Sequence, residues 1–473
     1  MPYSGKDIIE ATGGVLVGGS SERVFTTVST DSREEQAGKL FIPLKGQRFD
    51  GHNFLGTAVE SGAAGLLIQE GEEERLRQIS RDVTVIRVKD TLSALGSIAR
   101  FWRRKFNIPV VAITGSAGKT TTKEMTASIM AGTKNTLKAA GNFNNLIGLP
   151  LTILRLRDEH QAVILELGTN APGEIGQLSR IAEPSVGLIT NIGPAHLEGL
   201  KSLAMIRDEK GELFRNLSGE GIAVINRDDD AIGVLAKRWS GKRVTYGLRG
   251  DAEVTAQEVI TSEQGLRFAI RIGAYRGEVT MAAWGIHNVM NALGAAAIAH
   301  ALGTEGEVIK RGLGAFRAIP GRMEIKPLQN GAFLINDSYN ANPLSVREAL
   351  LAMKTLRGAG KGIVVLGDML ELGDQAEELH EGIGGIIGET GVDALFLMGV
   401  FARATAAGAR RKGMPASRIF FPSTPEDVAD HLSSALQAGD WVLVKGSRAM
   451  KMEEVIKVLS GMFGPEKGGW EQR

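Results

Sequence analysis

The 473-residue sequence contains no cysteine, which excludes thiol nucleophiles, iron–sulfur clusters, thiolate zinc sites and small disulfide scaffolds together. An excess of either charge is also missing. Lys plus Arg number 55 against 54 Asp plus Glu, a formal net charge of +1. So balanced a chain carries neither the footprint of a nucleic-acid binder nor that of a protein held to an acidic membrane, and any anion site has to be local. No stretch runs apolar for 18 residues, and the opening MPYSGKDIIEAT places Lys6, Asp7 and Glu10 where a signal peptide needs apolar residues. The expectation is a cytoplasmic enzyme with neither nucleic acid nor membrane as partner. Internal repeats and low-complexity segments are absent too, and the run EGEEER at 70–75 reads as a solvated loop or helix start.

What is present is glycine, 61 residues of it, within a chain that is 43% hydrophobic and 23% charged. Those fractions belong to ordinary globular proteins, and the length accommodates two or three cores. Apolar runs rich in β-branched residues, at 110–113, 163–167 and 186–190 and again at 333–335, 363–366, 395–398 and 441–444, alternate with helical patterns. That alternation predicts parallel βαβ units in two blocks. Between them, 252–283 alternates apolar with polar residues, as antiparallel strands with one wet face do. The segment AIPGRMEI, with Pro320 and Gly321, reads as a hinge. Short strands around 24–28, 39–43, 65–68 and 83–88 form a third unit, giving expected domains 1–88, 89–319 and 320–473.

VVAITGSAGKTTTKEM reads as a buried strand, a glycine loop and a helix start. In such a loop the amides of Gly115, Ser116, Ala117 and Gly118 point at phosphate oxygens, Lys119 reaches the terminal phosphates, and the Thr120 hydroxyl can hold Mg²⁺, with Thr121 next on the helix. The spacing is two residues shorter than the usual phosphate loop, and a plain glycine turn with an exposed lysine is the alternative. Two further strands end in Glu166 and in Asn191 and His196. Open parallel sheets gather ligands at the carboxyl ends of their strands, so Glu166 and His196 are expected to converge on Lys119 and Thr120 as metal ligands.

Leu203, Ile206, Lys210, Leu213 and Leu217 recur at spacings of 3, 4, 3 and 4, which puts a lysine on a core-facing stripe. It either snorkels or pairs with a carboxylate such as Glu166, or burial lowers its pKa until the free amine takes up CO₂ as a metal-binding carbamate.

Taken in order, TGSAGKTTT, GNFNNLIGLP, ILELG, NIGPAHLEGL, EKGELF, GIHNVMNALGAAAIA, IPGRMEI, NDSYNANP and LGDMLELG resemble the ordered motifs of the bacterial Mur ligases. The short glycine loop is normal in that family. The resemblance implies an α/β fold of three domains: a small uridine-nucleotide-binding domain, a central phosphate-loop domain of mostly parallel sheet with a small antiparallel sheet, and a C-terminal Rossmann-like domain. STDSR and LKGQRFDGH resemble the uridine-nucleotide-binding domain, which implies roles for Asp31, Ser32 and Arg33, and for Lys45, Asp50 and His52, in holding the UDP-linked substrate. His287, Asn288 and Asn291 are implied at adenine, Asn145 near the γ-phosphate, Arg322 toward phosphate and Asp337 on ribose. The implied cofactors are ATP and Mg²⁺, with a second Mg²⁺ at His196 and carbamylated Lys210.

Within the family, an aspartate-tyrosine-alanine-histidine run and an Asp-Asn-Pro-Arg segment are usual in the enzymes that add the third residue. The first is replaced here by DSYNANP and the second is missing. Both departures favour the activity that joins D-alanyl-D-alanine to a UDP-N-acetylmuramoyl-tripeptide through an acyl phosphate, carried out by a monomer. The rivals are another ligase of the family, whether the third-residue-adding enzyme or a folyl-polyglutamate synthetase, and a phosphate-loop ATPase that drives a partner.

Overall fold

Three large sheets and a two-stranded one, Tyr3–Ser4 with Val24–Phe25, organise the computed structural model, which describes residues 3–46, 49–79 and 82–464. Gln47 and Arg48 of the LKGQRFDGH motif lie outside the described residues.

The first sheet has the order Val15–Gly18, Thr84–Val88, Gly65–Gln69, Leu40–Phe41, Val28–Ser29, parallel except for its first pair. The helix Thr91–Arg103 fastens this unit to the next. Its Trp102 ring lies 4.4 Å from that of Tyr3, whose hydroxyl donates to Leu154 O at 2.6 Å across the seam.

Nine strands form the central sheet. Val110–Thr114 is flanked by Ala162–Glu166 on one side and Val186–Ile189 on the other, all parallel and all buried. Burial on both faces is why these runs are continuously apolar. Ile222–Asn226 and Lys242–Tyr246 continue the parallel array. The sequence reading passed over both, and the second opens on two exposed charged residues that hide its strand character. The three alternating strands Val254–Ser262, Gly265–Ile272 and Tyr275–Met281 are antiparallel, as expected, and join the parallel set through one pairing, Tyr246 with Val254.

The last sheet runs Glu324–Pro327, Phe333–Asp337, Trp441–Lys445, Gly362–Gly367, Ala394–Met398, Ile419–Phe420, with only its first pair antiparallel. Trp441–Lys445, late in sequence, sits between two earlier strands, and such a reversal of strand order opens a crevice at the carboxyl ends. The described residues include no helix long and apolar enough to cross a membrane.

The helix carrying Lys210 is Leu203–Arg215, capped by Ser202. Of the expected stripe, Ile206, Lys210, Leu213 and Leu217 are buried, the last just beyond the helix end in one cluster with Leu213, and Leu203 at the first turn is half-exposed.

Candidate active site

The strand Val110–Thr114 ends at the glycine loop, and two contacts explain its glycines. Gly115 has φ of 148°, and a Cβ there would sit 1.8 Å from Thr190 Oγ1. At Gly118, φ 81°, a Cβ would meet Asn291 Oδ1 at 2.3 Å. Both positions are closed to any side chain.

The loop is held from behind. Ser116 N donates to Asn191 O, and Ala117 N to Asn191 Oδ1 at 2.9 Å. Those two amides are therefore spent on the adjacent strand end, which corrects the expectation that they face a phosphate. Along the loop and the start of the helix Lys119–Met130, the amides of Gly115 and of Gly118 to Thr121 have no partner among the described residues. Orphan amides and the positive end of a helix make that first turn the anion site. Lys119 Nζ donates back to Gly115 O at 2.8 Å. Burial pushes its pKa down, Glu166 opposes that shift, and the positive charge of Arg322 adds to it.

Thr120 Oγ1 donates to Glu166 Oε2 at 2.7 Å, and Asn144 Nδ2 donates to Glu166 Oε1 at 2.9 Å. Glu166 is thus buried and fixed through both oxygens. Asn144 was not singled out in the sequence. Its neighbour Asn145 was, and that side chain accepts from Ile147 N and Gly148 N at the mouth of the cavity. A hydroxyl and a carboxylate side by side, with the His196 imidazole lining the same cavity, form an oxygen-dominated donor set that suits Mg²⁺.

Lys210 is 1% exposed and makes no ion pair or hydrogen bond among the described residues. The pairing with Glu166 considered from sequence does not occur, because Thr120 and Asn144 occupy that carboxylate. Glu209 beside it is committed to Gly173 N and Ile175 N at 2.7 and 2.8 Å. Burial holds the Lys210 ammonium well below its ordinary pKa, and the nearby charge of Lys119 lowers it further.

On the far side, the helix Ile286–Ala301 packs against the loop helix. Asn291 accepts from Thr122 Oγ1 at 3.3 Å and donates to Asn288 Oδ1 at 2.9 Å, while Asn288 donates to Trp284 O. His287 Nδ1 is buried without a partner, and desolvation lowers its pKa to about 4.

The C-terminal unit closes the cavity. Asn342 Nδ2 donates to Ser116 O at 3.1 Å, directly over the glycine loop. Asp337 pairs with buried Lys445 at 2.6 Å and accepts from Met323 N, so any ribose contact has to share that carboxylate. Arg322 lies 4.2 Å over the Tyr339 ring. Lys445, Tyr339 and Asn342 were not assigned from sequence, although the last two lie within the quoted NDSYNANP. The cavity between the units measures about 680 Å³, ample for a nucleotide.

The first-domain residues lie outside this cavity. Arg33 grips Asp31 through Nε at 2.8 Å and Nη2 at 2.6 Å, holding that exposed carboxyl at about 2. Gln36, buried and missed in the sequence, braces the turn by donating to the carbonyls of Asp31 and Glu34. Ser32 sits on the same turn. Asp50 bonds His52 Nδ1 at 2.7 Å, and His52 Nε2 accepts from Gln69 N. Both ring nitrogens of His52 are thus engaged, and the ring is buried. Lys45 bridges Asp50 through backbone alone.

Three family models match the chain: the Mur ligase family catalytic domain over 24–103, the Mur ligase middle domain over 113–299 and the Mur ligase glutamate ligase domain over 321–448. The chain belongs to the Mur ligase family. Among Mur ligases it is 36% identical over 455 residues to the UDP-N-acetylmuramoyl-tripeptide--D-alanyl-D-alanine ligase of Bacillus subtilis, covering 96% of this chain and 97% of that one. The enzyme of the same name from Escherichia coli is also 36% identical, over 91% and 93% of the two chains. The fold superposes on a crystal structure of MurF from Acinetobacter baumannii with a TM-score of 0.88 at 32% identity, covering 98% and 99% of the chains. It also resembles the MurF ligase of Thermotoga maritima solved with ADP, at a TM-score of 0.82 and 27% identity over 92% and 97%.

Proposed function

We propose that this Mur ligase joins D-alanyl-D-alanine to a UDP-N-acetylmuramoyl-tripeptide at the expense of ATP. The observation that carries the reading is one cavity holding the free amides of Gly118 to Thr121, Lys119, the Thr120–Glu166 pair and two cationic side chains of the last unit, Arg322 and Lys445, in a chain matched end to end by relatives of that name.

A carboxylate is a poor acylating group at neutral pH because its leaving group is oxide. In the proposed route a carboxylate oxygen of the tripeptide attacks the γ-phosphorus and ADP leaves, giving an acyl phosphate. The amine of D-alanyl-D-alanine then attacks the carbonyl carbon. Inorganic phosphate departs with the original carboxylate oxygen, and the ammonium proton passes to solvent. Lys119 and the helix amides hold the transferring phosphoryl group, and Arg322, delivered by the closing unit, neutralises charge only when the cavity is shut. Thr120, Glu166 and His196 would hold Mg²⁺, with a carbamylated Lys210 beside them, and the bound cation would screen the repulsion between carboxylate and triphosphate. Asn288 and Asn291 support an adenine site, and the Asp31–Arg33 turn a uridine site. The partners are small molecules, and we propose a monomer acting in the cytoplasm, where ATP and nucleotide-linked precursors meet.

Labelling the tripeptide's terminal carboxylate with ¹⁸O tests the acyl phosphate. One ¹⁸O per turnover should appear in inorganic phosphate. Unlabelled phosphate with labelled product would rule out this intermediate.

A further inference from the structure

His196 belongs to the central unit, yet its ring is held by the last one. Its Nδ1 meets Glu371 Oε2 at 2.5 Å, 175 residues away in sequence. The same residue reaches across with its backbone, since Glu198 N donates to Glu371 O at 3.0 Å. Gly373 lies so close that a Cβ there would come within 3.2 Å of Glu198 Cα. Beneath the pair, Leu197 and Leu200 are buried in one apolar cluster with Met369 and Leu372. His196, Lys201 and Glu371 all have positive φ, at 56°, 59° and 63°. Non-glycine residues hold that conformation only where the surroundings enforce it.

The Glu371 side chain is 53% exposed, so the contact with the imidazole adds little to stability. What it does fix is chemistry. A carboxylate at Nδ1 selects the tautomer with the proton there and leaves Nε2, which has no hydrogen bond among the described residues, as the free donor atom of a residue lining the phosphate cavity. An outer carboxylate behind a ligating imidazole orients the ring and raises its basicity.

We propose that Glu371 is a positioning residue through which docking of the last unit aims His196 at the cation, so that the metal site is complete only when the cavity is closed. This rests on the ligase reading, and on His196 as a cation ligand within it. The LELG turn is then the link between closure and catalysis, which gives the quoted LGDMLELG motif a role.

Binding of Mn²⁺ to the full-length protein, followed by electron paramagnetic resonance with a non-hydrolysable ATP analogue and UDP-N-acetylmuramoyl-tripeptide present, tests this without turnover. Glu371→Ala should weaken one class of Mn²⁺ site about ten- to a hundredfold. Glu371→Gln, whose carbonyl oxygen still accepts from Nδ1–H, should weaken it less. Exposed Glu378→Ala on the following helix should leave it unchanged. In turnover the Mg²⁺ half-saturation of Glu371→Gln should rise while kcat at saturating Mg²⁺ stays near that of the wild type. Mn²⁺ binding by Glu371→Ala within twofold of wild type, or an equal loss in Glu378→Ala, would overturn the proposal. Should Glu371→Ala fail to fold, an unshifted Mg²⁺ dependence in Glu371→Gln does the same. A wild-type protein that binds Mn²⁺ with this dependence on Glu371 yet ligates nothing would sink the ligase reading and leave the positioning role standing.

Discussion

Replacing Lys210 by Met separates stability from function in one substitution. Met matches the unbranched stem, keeps an apolar residue on the buried face between Ile206 and Leu213, and removes an ammonium that has no partner among the described residues. Exchanging even a paired buried charge for apolar side chains of similar volume is often neutral or stabilising by about 1–4 kcal/mol, and an unpaired one has less to lose. The pH dependence follows from the same burial. Folded Lys210 has its pKa pushed below the unfolded value, so between the two the unfolded chain binds more protons. Stability of the wild type therefore rises with pH through that window, by up to about 1.4 kcal/mol per pH unit, and its deficit is complete below the folded pKa. In CO₂-free, metal-free buffer, urea unfolding followed by circular dichroism should place the Met variant at or above wild type at pH 7. The two should converge as pH approaches 10. Ligase turnover of the variant in bicarbonate should fall at least about a hundredfold, the scale of losing one group that organises charge at the reacting centre. A variant destabilised by more than about 2 kcal/mol, or one that turns over normally, would refute the argument that this lysine is an energetic burden kept for chemistry.

Lys119→Ala removes the point charge at the helix start while both loop glycines stay, and steady-state assays should show kcat down about 10²- to 10³-fold with an unchanged melting temperature. Arg33→Ala frees Asp31 and removes a contact remote from the reacting carboxylate, so the KM for the uridine-linked substrate should rise more than kcat falls, with the KM for ATP unchanged. His287, neutral in the fold with a pKa of about 4, binds fewer protons than its unfolded form between that value and about 6.5. Stability should therefore decline as pH falls through that interval, and denaturant midpoints of His287→Gln should show a shallower decline.

Much of this was legible in sequence because burial writes itself into composition. Val110–Thr114 and Ala162–Glu166 are covered on both faces and read as unbroken apolar runs. Lys210 stood out because a charge broke a helical period, and the structure buries it. The first strand missed in the central sheet, Ile222–Asn226, is as buried as its neighbours and was simply passed over; Lys242–Tyr246 opens on exposed charges that mask it. Residues whose meaning depends on tertiary approach were silent. Lys445 reaches Asp337 over 108 residues and Glu371 reaches His196 over 175, and no local spacing encodes either. Asp50 and His52 illustrate the converse, since a polar motif that suggested ligand contact closes on itself and on Gln69 N.

ATP cleavage here serves to form one amide bond between a nucleotide-linked tripeptide and a dipeptide. Mass spectrometry of the protein's reaction with ATP, Mg²⁺, UDP-N-acetylmuramoyl-tripeptide and D-alanyl-D-alanine measures substrate loss and product gain together. The expected product is heavier by one dehydrated dipeptide, with ADP and phosphate formed in equal amounts and only when both acceptor and donor are present. Phosphate released at the same rate without the dipeptide, and a tripeptide of unchanged mass, would contradict it.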